Sequence, residues 1–174
     1  MGRLPSDRTF WTIQPLSVLG QIREDEIAFA DPGRLPYGGF IPESYRWLNG
    51  QLRKRIPGYS ALLPWWLYCE KPDLRYFRHT RPFGVREVRI ELVLPAGSFV
   101  TFSVRRWTRY FSDPNPQDSW SQLFDTKPIA ASDEEVGVTG RLLLEHITQV
   151  DHFVGTNKLV LSTLEKVQNS PAAR

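Results

Sequence analysis

A handful of side chains stand where chemistry can be built. Gln14 ends a run of aromatic and β-branched residues before a proline, and Asp73 and Arg75 flank Leu74 in a charged stretch. Glu91 sits inside an apolar alternation, and Glu135 leads into a late one. Strand ends and loops around a sheet rim are where binding groups collect, although each of these residues alone equally reads as a cap, a surface ion pair or an exposed strand position. Around them the chain concentrates aromatics: Trp11, Trp65, Trp66 and Tyr68, then Trp107 and Tyr110. Such rings can stack on a nicotinamide, a base or an adenine, and they are also what a small mixed domain uses to fill its core.

A third constellation is basic. Lys71, Arg75, Arg78, Arg81, Arg86, Arg89, Arg105, Arg106 and Arg109 are interleaved with Tyr76, Phe77 and Trp107, the ingredients of a surface for phosphates and bases. A mainly acidic stretch, 113–135, follows at once, so pairing between the two is the plainer expectation. His146 and His152 are six apart, which is no metal-ligand spacing. No HExxH, phosphate loop, GxGxxG or local signature around a serine or cysteine nucleophile occurs, so metal catalysis and acyl transfer are disfavoured.

The elements that must position these groups are legible as rhythm. Residues 9–14 read as a first strand, closed by Pro15, and Leu16, Leu19 and Ile22 follow at the spacing of a short helix. A short strand at 27–30 and a loop to Gly39 come next. Ile41, Tyr45, Leu48, Leu52 and Ile56 mark a helix that opens at Pro42 and stops at Pro57-Gly58. Residues 62–69 are a third strand, and 71–84 a charged loop. Alternation on both sides of Pro95-Ala96-Gly97, across 85–104, predicts two strands neighbouring each other in one sheet. Beyond it the pattern predicts a helical turn at 105–111, a loop at 112–118 and a short helix capped by Ser119. An interrupted strand at 136–144, a short helix or turn through Ile147, Val150 and Phe153, and a terminal helix at 157–168 complete the chain.

At 174 residues, 41% hydrophobic and 24% charged, with net charge +3, this is the composition of one folded domain over 1–174, with a loose lead-in at 1–8 and a loose tail at 169–174. The basic balance tolerates an anionic partner without requiring one. A lone cysteine, Cys69, rules out an internal disulfide and any multi-cysteine zinc site. No apolar run has the length of a membrane span and no secretory signal is evident, so the expectation is a cytoplasmic protein without membrane attachment. The fold class read from these elements is α+β: a central, twisted, mostly antiparallel sheet with short flanking helices.

Several of these segments resemble the bacterial family catalogued as domain of unknown function 3841. They are Trp11-Thr12-Ile13-Gln14-Pro15, the Pro64-Trp65-Trp66-Leu67-Tyr68 strand, Lys71-Pro72-Asp73-Leu74-Arg75, the strand Arg89 to Leu94 with its Pro95 turn, the segment from Ser119-Trp120 to Phe124-Asp125, and the stretch from Leu144-Glu145-His146-Ile147 to Phe153. The chain departs from the family where Thr101-Phe102-Ser103-Val104 and Trp107-Thr108 replace an Asp-Phe-Asp run and a Trp-His pair, and where Val136-Gly137-Val138 replaces Gln-Ala-Thr. More distantly, the order of elements is similar to that of a small ADP-ribosyltransferase. That likeness implies NAD as co-substrate, no metal, and a macromolecular target, nucleic acid or protein. It further implies that Gln14 on the first strand holds the nicotinamide ribose, that Trp66 or Tyr68 stacks with Trp11 nearby, and that Arg75 beside Asp73 meets the diphosphate. Glu135 would then be the carboxylate facing the charge that develops as the glycosidic bond breaks. The alternative is a non-enzymatic domain that binds nucleic acid or protein through the arginine-rich middle.

Overall fold

The computed structural model describes residues 6–34, 41–111, 121–124 and 134–158. Over these the chain is α+β. In order it forms β1 (Arg8–Pro15), α1 (Leu16–Asp25), β2 (Ile27–Ala28), α2 (Glu43–Arg55), β3 (Trp65–Tyr68) and α3 (Leu74–Thr80). Then come β4 (Arg86–Leu94), β5 (Phe99–Ser103), α4 (Val104–Phe111), β6 (Glu135–Thr139), β7 (Leu142–Leu143) and β8 (Ile147–Val154). One antiparallel sheet holds six strands in the order β5-β6-β3-β1-β4-β8, and β2 pairs with β7 separately.

Period-2 burial explains the strands. On β4, Val88, Ile90, Leu92 and Leu94 are all buried, and each faces a residue of β1 on the same side, as in Phe10 opposite Leu92. Proline at the N-terminal boundary of α1 and α2 suits a position with no helical donor to lose. Along α2, Leu48, Asn49 and Leu52 point inward at helical spacing.

The sheet does not lie flat. In a flat sheet β1 and β5, three strand steps apart, would be about 14 Å from each other. Yet the rings of Phe10 on β1 and Phe99 on β5 touch at 4.8 Å between centroids. The strands β8-β4-β1 and β3-β6-β5 therefore curl toward each other as two halves. They meet where β1 pairs β3 at a single position, Trp11 opposite Tyr68. Between them lies the first core, with Phe10, Leu67, Ile90, Leu92 and Leu142. On the outer face of the second half, α2 and α4 cover another, built from Leu48, Leu52, Phe102, Leu123 and Val138.

The curl corrects one expectation. The two strands around Pro95 are not neighbours: β4 pairs with β1 and β8, and β5 pairs with β6. The short turn, with Gly97 at φ 85° and the Ser98 N–H donating to Pro95 O, crosses from one half to the other. A short connection shows that two strand ends are close, and a curled sheet brings ends together without pairing them. Two further expectations change. The charged loop at 71–84 contains α3, because the Asp73 carboxylate caps its first turn by accepting from the Arg75 N–H at 2.8 Å. Ile147, Val150 and Phe153 belong to a strand at the sheet edge, since apolar spacing of three suits either state and pairing with β4 decides it. The expected lead-in 1–8 is shortened by β1, which begins at Arg8. The loops expected at 35–39 and 112–118, the Ser119 cap and most of the terminal helix lie outside the described residues.

Candidate functional site

The residues singled out by sequence fall into three places. Gln14 is at the far end of β1, where its side-chain amide donates to Thr12 Oγ1 at 2.7 Å. Glu135 heads β6 and is bonded to Arg8 at the opposite end of β1. At about 3.3 Å per residue those ends of β1 are about 20 Å apart, so Gln14 and Glu135 do not form one site. Trp66 is partly buried and packs in the second core against Tyr45, Phe102 and Trp107, with the Trp107 ring 5.3 Å away.

The third place is the outer face of β1 and β3. Trp11 donates its indole N–H to Glu91 Oε2 at 3.0 Å, and Lys71 Nζ is 4.0 Å from the same carboxylate oxygen. Tyr68 borders an open hollow of about 510 Å³ with Lys71, Tyr76, Phe77, Arg81 and Glu134. Burial raises the Tyr68 hydroxyl above the ordinary tyrosine range, while Arg81 works against that shift. Asp73 and Arg75 open the helix that lines this hollow, but they engage each other, Arg75 Nη2 to Asp73 Oδ2 at 2.8 Å. That exposed pair holds the Asp73 carboxyl below its usual range through the Arg75 hydrogen bonds. Strand alternation sends neighbouring carboxylates to different faces: Glu134 borders this hollow, and Glu135 turns to the other side with Arg8.

What the structure does assemble is a carboxylate site around Glu135. Arg8 Nη2 meets Glu135 Oε2 at 2.6 Å, and the two side chains are 37% and 44% exposed, so the contact is reachable from solvent. Burial pushes the Glu135 carboxyl up, but hydrogen bonds from Arg8 and Thr101, the Arg8 charge and a bond from the Cys69 thiol outweigh it and hold the group below the usual range. Cys69 goes the other way: burial is the largest cause, and with the adjacent carboxylate it moves the thiol up to about 12 against the pull of Arg8. In that protonated form the thiol donates to the Glu135 carboxylate. The local reason is register. Gly137, on the same face as Glu135, lets Phe10 fit under β6, and the Arg8 side chain passes over the Phe10 ring at 5.3 Å to reach the carboxylate.

Sequence reasoning missed Arg8, Cys69 and Thr101. Alternation within β1 puts Arg8 on the face of Phe10 and Thr12, although a lead-in over 1–8 places it outside the strand. For Cys69 and Thr101 no local signal exists, because only the pairing of β6 with β3 and β5 brings them to Glu135.

Part of the basic run is engaged. Arg81 pairs with Glu87 at 2.7 Å, and Arg89 pairs with Asp151 at 2.6 Å and also donates to Pro72 O. Arg106 is buried and donates to Gln122 O. The carboxylate partners of Arg81 and Arg89 come from neighbouring strands, and most of the acidic stretch 113–135 lies outside the described residues. Among the described residues no cluster of three or more His, Cys, Asp or Glu is arranged to hold a metal ion, and no helix is long and apolar enough to cross a membrane.

No family model matches the chain, and no curated protein or solved structure matches it.

Proposed function

We propose that the chain is an ADP-ribosyltransferase-like enzyme that uses NAD on a macromolecular target, with Glu135 as the carboxylate and Arg8, in place of Gln14, as its partner from the first strand. One observation carries this reading: the 2.6 Å contact through which the first strand meets a carboxylate at the head of a late strand. That juxtaposition is what the order-of-elements likeness requires, with a different residue from β1.

Bound NAD would supply a glycosidic bond between ribose and nicotinamide, whose cleavage leaves positive charge on the sugar. Glu135 would face that charge already ionised and oriented, so no reorganisation is needed as the bond breaks. Arg8, Thr101 and Cys69 would hold the carboxylate in place from three directions. Arg8 also presents a planar guanidinium suited to a diphosphate oxygen. Trp66 has no part in this site, and Tyr68, Asp73 and Arg75 serve the opposite face, where a target can dock. The alternative, a nucleic-acid-binding domain built on the arginine-rich middle, is less supported because Arg75, Arg81, Arg89 and Arg106 already have protein partners.

The test is nicotinamide release from NAD, with melting temperature followed in parallel. Glu135→Gln is expected to lower the rate by about a hundredfold or more, in line with losing one preorganised electrostatic group, and to leave the melting temperature within a few degrees. Gln14→Ala is expected to change the rate little. Neither release nor thermal stabilisation by millimolar NAD in the unaltered protein would remove this reading.

A further inference from the structure

A second hollow, of about 360 Å³, opens between the Pro95–Ser98 turn and the far end of β6. It lies beyond Thr139, at the end of β6 opposite Glu135, and so is separate from the carboxylate site. Its volume falls at the lower end of the range of small-molecule pockets, about 300–1,000 Å³.

The walls supply four kinds of group. Phe29 is 43% exposed at the hollow, an aromatic side chain left nearly half in water, and it contacts no other ring among the described residues. Tyr59 forms the inner wall. Its hydroxyl is already committed to Asn49 Oδ1 at 2.7 Å, so it contributes a surface and not a donor. Gly140 permits that wall, because a Cβ there would lie 2.8 Å from the Tyr59 ring. Arg141 is exposed and makes no ion pair among the described residues.

Glu145 and His146 complete the lining, with Oε1 and Nε2 3.7 Å apart, too far for a hydrogen bond. The Glu145 carboxylate is 75% exposed and nothing fixes it there. His146 Nδ1 is the one buried side-chain polar atom among the described residues without a hydrogen-bond partner. A buried polar atom left bare in a native fold requires an explanation. The same ring lines the hollow with its Nε2 toward Glu145.

We propose that this hollow binds a mononucleotide. A base has a flat face for Phe29 to stack on, as bases do on aromatic side chains. Its edge carries both N–H donors and ring-nitrogen or carbonyl acceptors, matching the Glu145 carboxylate and the His146 Nε2. Its phosphate matches the Arg141 guanidinium, which pairs with such groups through two parallel hydrogen bonds. The hollow has room for one base and not for a strand of them.

The experiment is calorimetric titration of the whole chain with AMP, GMP and CMP, and with adenosine and inorganic phosphate separately. At least one mononucleotide is expected to bind with Kd below about 1 mM, and adenosine and phosphate each at least tenfold more weakly. Phe29→Ala and Arg141→Ala are each expected to weaken binding by about tenfold or more with unchanged melting temperature, since both side chains are exposed. Glu135→Gln is expected to leave this affinity unchanged, which separates the site from the proposed NAD site. No binding of any of the three mononucleotides at millimolar concentration would overturn the proposal. So would affinity that survives both Phe29→Ala and Arg141→Ala, or an oligonucleotide that binds more tightly than any mononucleotide through these same two residues.

Discussion

Gly137 carries hydrogen where a methyl group would sit 2.5 Å from Phe10 Cε1, and Phe10 is fully buried with no room to retreat. Gly137→Ala is therefore expected to cost about 1–3 kcal/mol, the usual range for overpacking a filled core, seen as a lowered urea midpoint at unchanged slope. The same contact holds β1 and β6 at the separation Arg8 needs to reach Glu135. For that carboxylate the direction of the pH effect follows from its depressed folded pKa. Its contribution to stability is complete above the ordinary glutamate value near 4.5 and is lost only as pH falls through the lower folded value. Because both side chains are partly in water, the contribution is about 1 kcal/mol at most. Removing the arginine leaves burial to act with less opposition, so Arg8→Ala is expected to move the Glu135 titration upward in a carboxyl NMR experiment. A titration that stays where it was would show that Thr101 and Cys69 alone set it. At this scale alternation is enough to place Glu135 at the head of a late strand, whereas only register shows that Gln14 stands at the end of β1 away from it.

Among the elements, β3 shows how far alternation can be trusted. Its four residues do divide as the pattern requires, with Trp65 and Leu67 in the first core and Trp66 in the second. What the pattern does not reveal is that Trp66 packs against other rings, because α2 and α4 supply Tyr45 and Trp107 from distant parts of the chain. Trp66→Ala is accordingly expected to act on stability and not on NAD binding. A loss of about 3–5 kcal/mol in equilibrium unfolding is in line with truncating a packed aromatic. An unchanged unfolding midpoint with weakened NAD binding would return Trp66 to the role of a stacking platform. Where the elements differ from expectation, in α3 and β8, the local signals were ambiguous. A cap residue in a charged stretch and apolar positions three apart each fit two states until a neighbour selects one.

At the scale of the whole molecule, the net charge is +3, and within the positive middle Arg75, Arg81 and Arg89 face carboxylates. Coulombic attraction for a polyanion is correspondingly reduced. Binding of a short oligonucleotide, followed by fluorescence anisotropy, is expected to weaken less than about tenfold between 50 and 200 mM salt, well short of the loss of about 10³–10⁵ for a protein contacting six to ten phosphates. A loss of that larger size would favour the nucleic-acid reading over the enzymatic one. The curl of the sheet is the other molecular-scale property. It turns one continuous set of strands into two opposed halves, closes the first core between them and leaves the candidate groups on separate surfaces: Glu135 at one rim, Tyr68 on the outer face, and Arg141 at the far end of β6.

The chain by itself determined what depends on near neighbours: which stretches alternate or repeat at helical spacing, where prolines and glycines interrupt them, and therefore an α+β fold around an antiparallel sheet. Tertiary structure alone decided which strands are adjacent and which side chains share a surface. Those choices rest on contacts such as Phe10 against Gly137 and Phe99, which join residues too far apart in the chain for the local pattern to express.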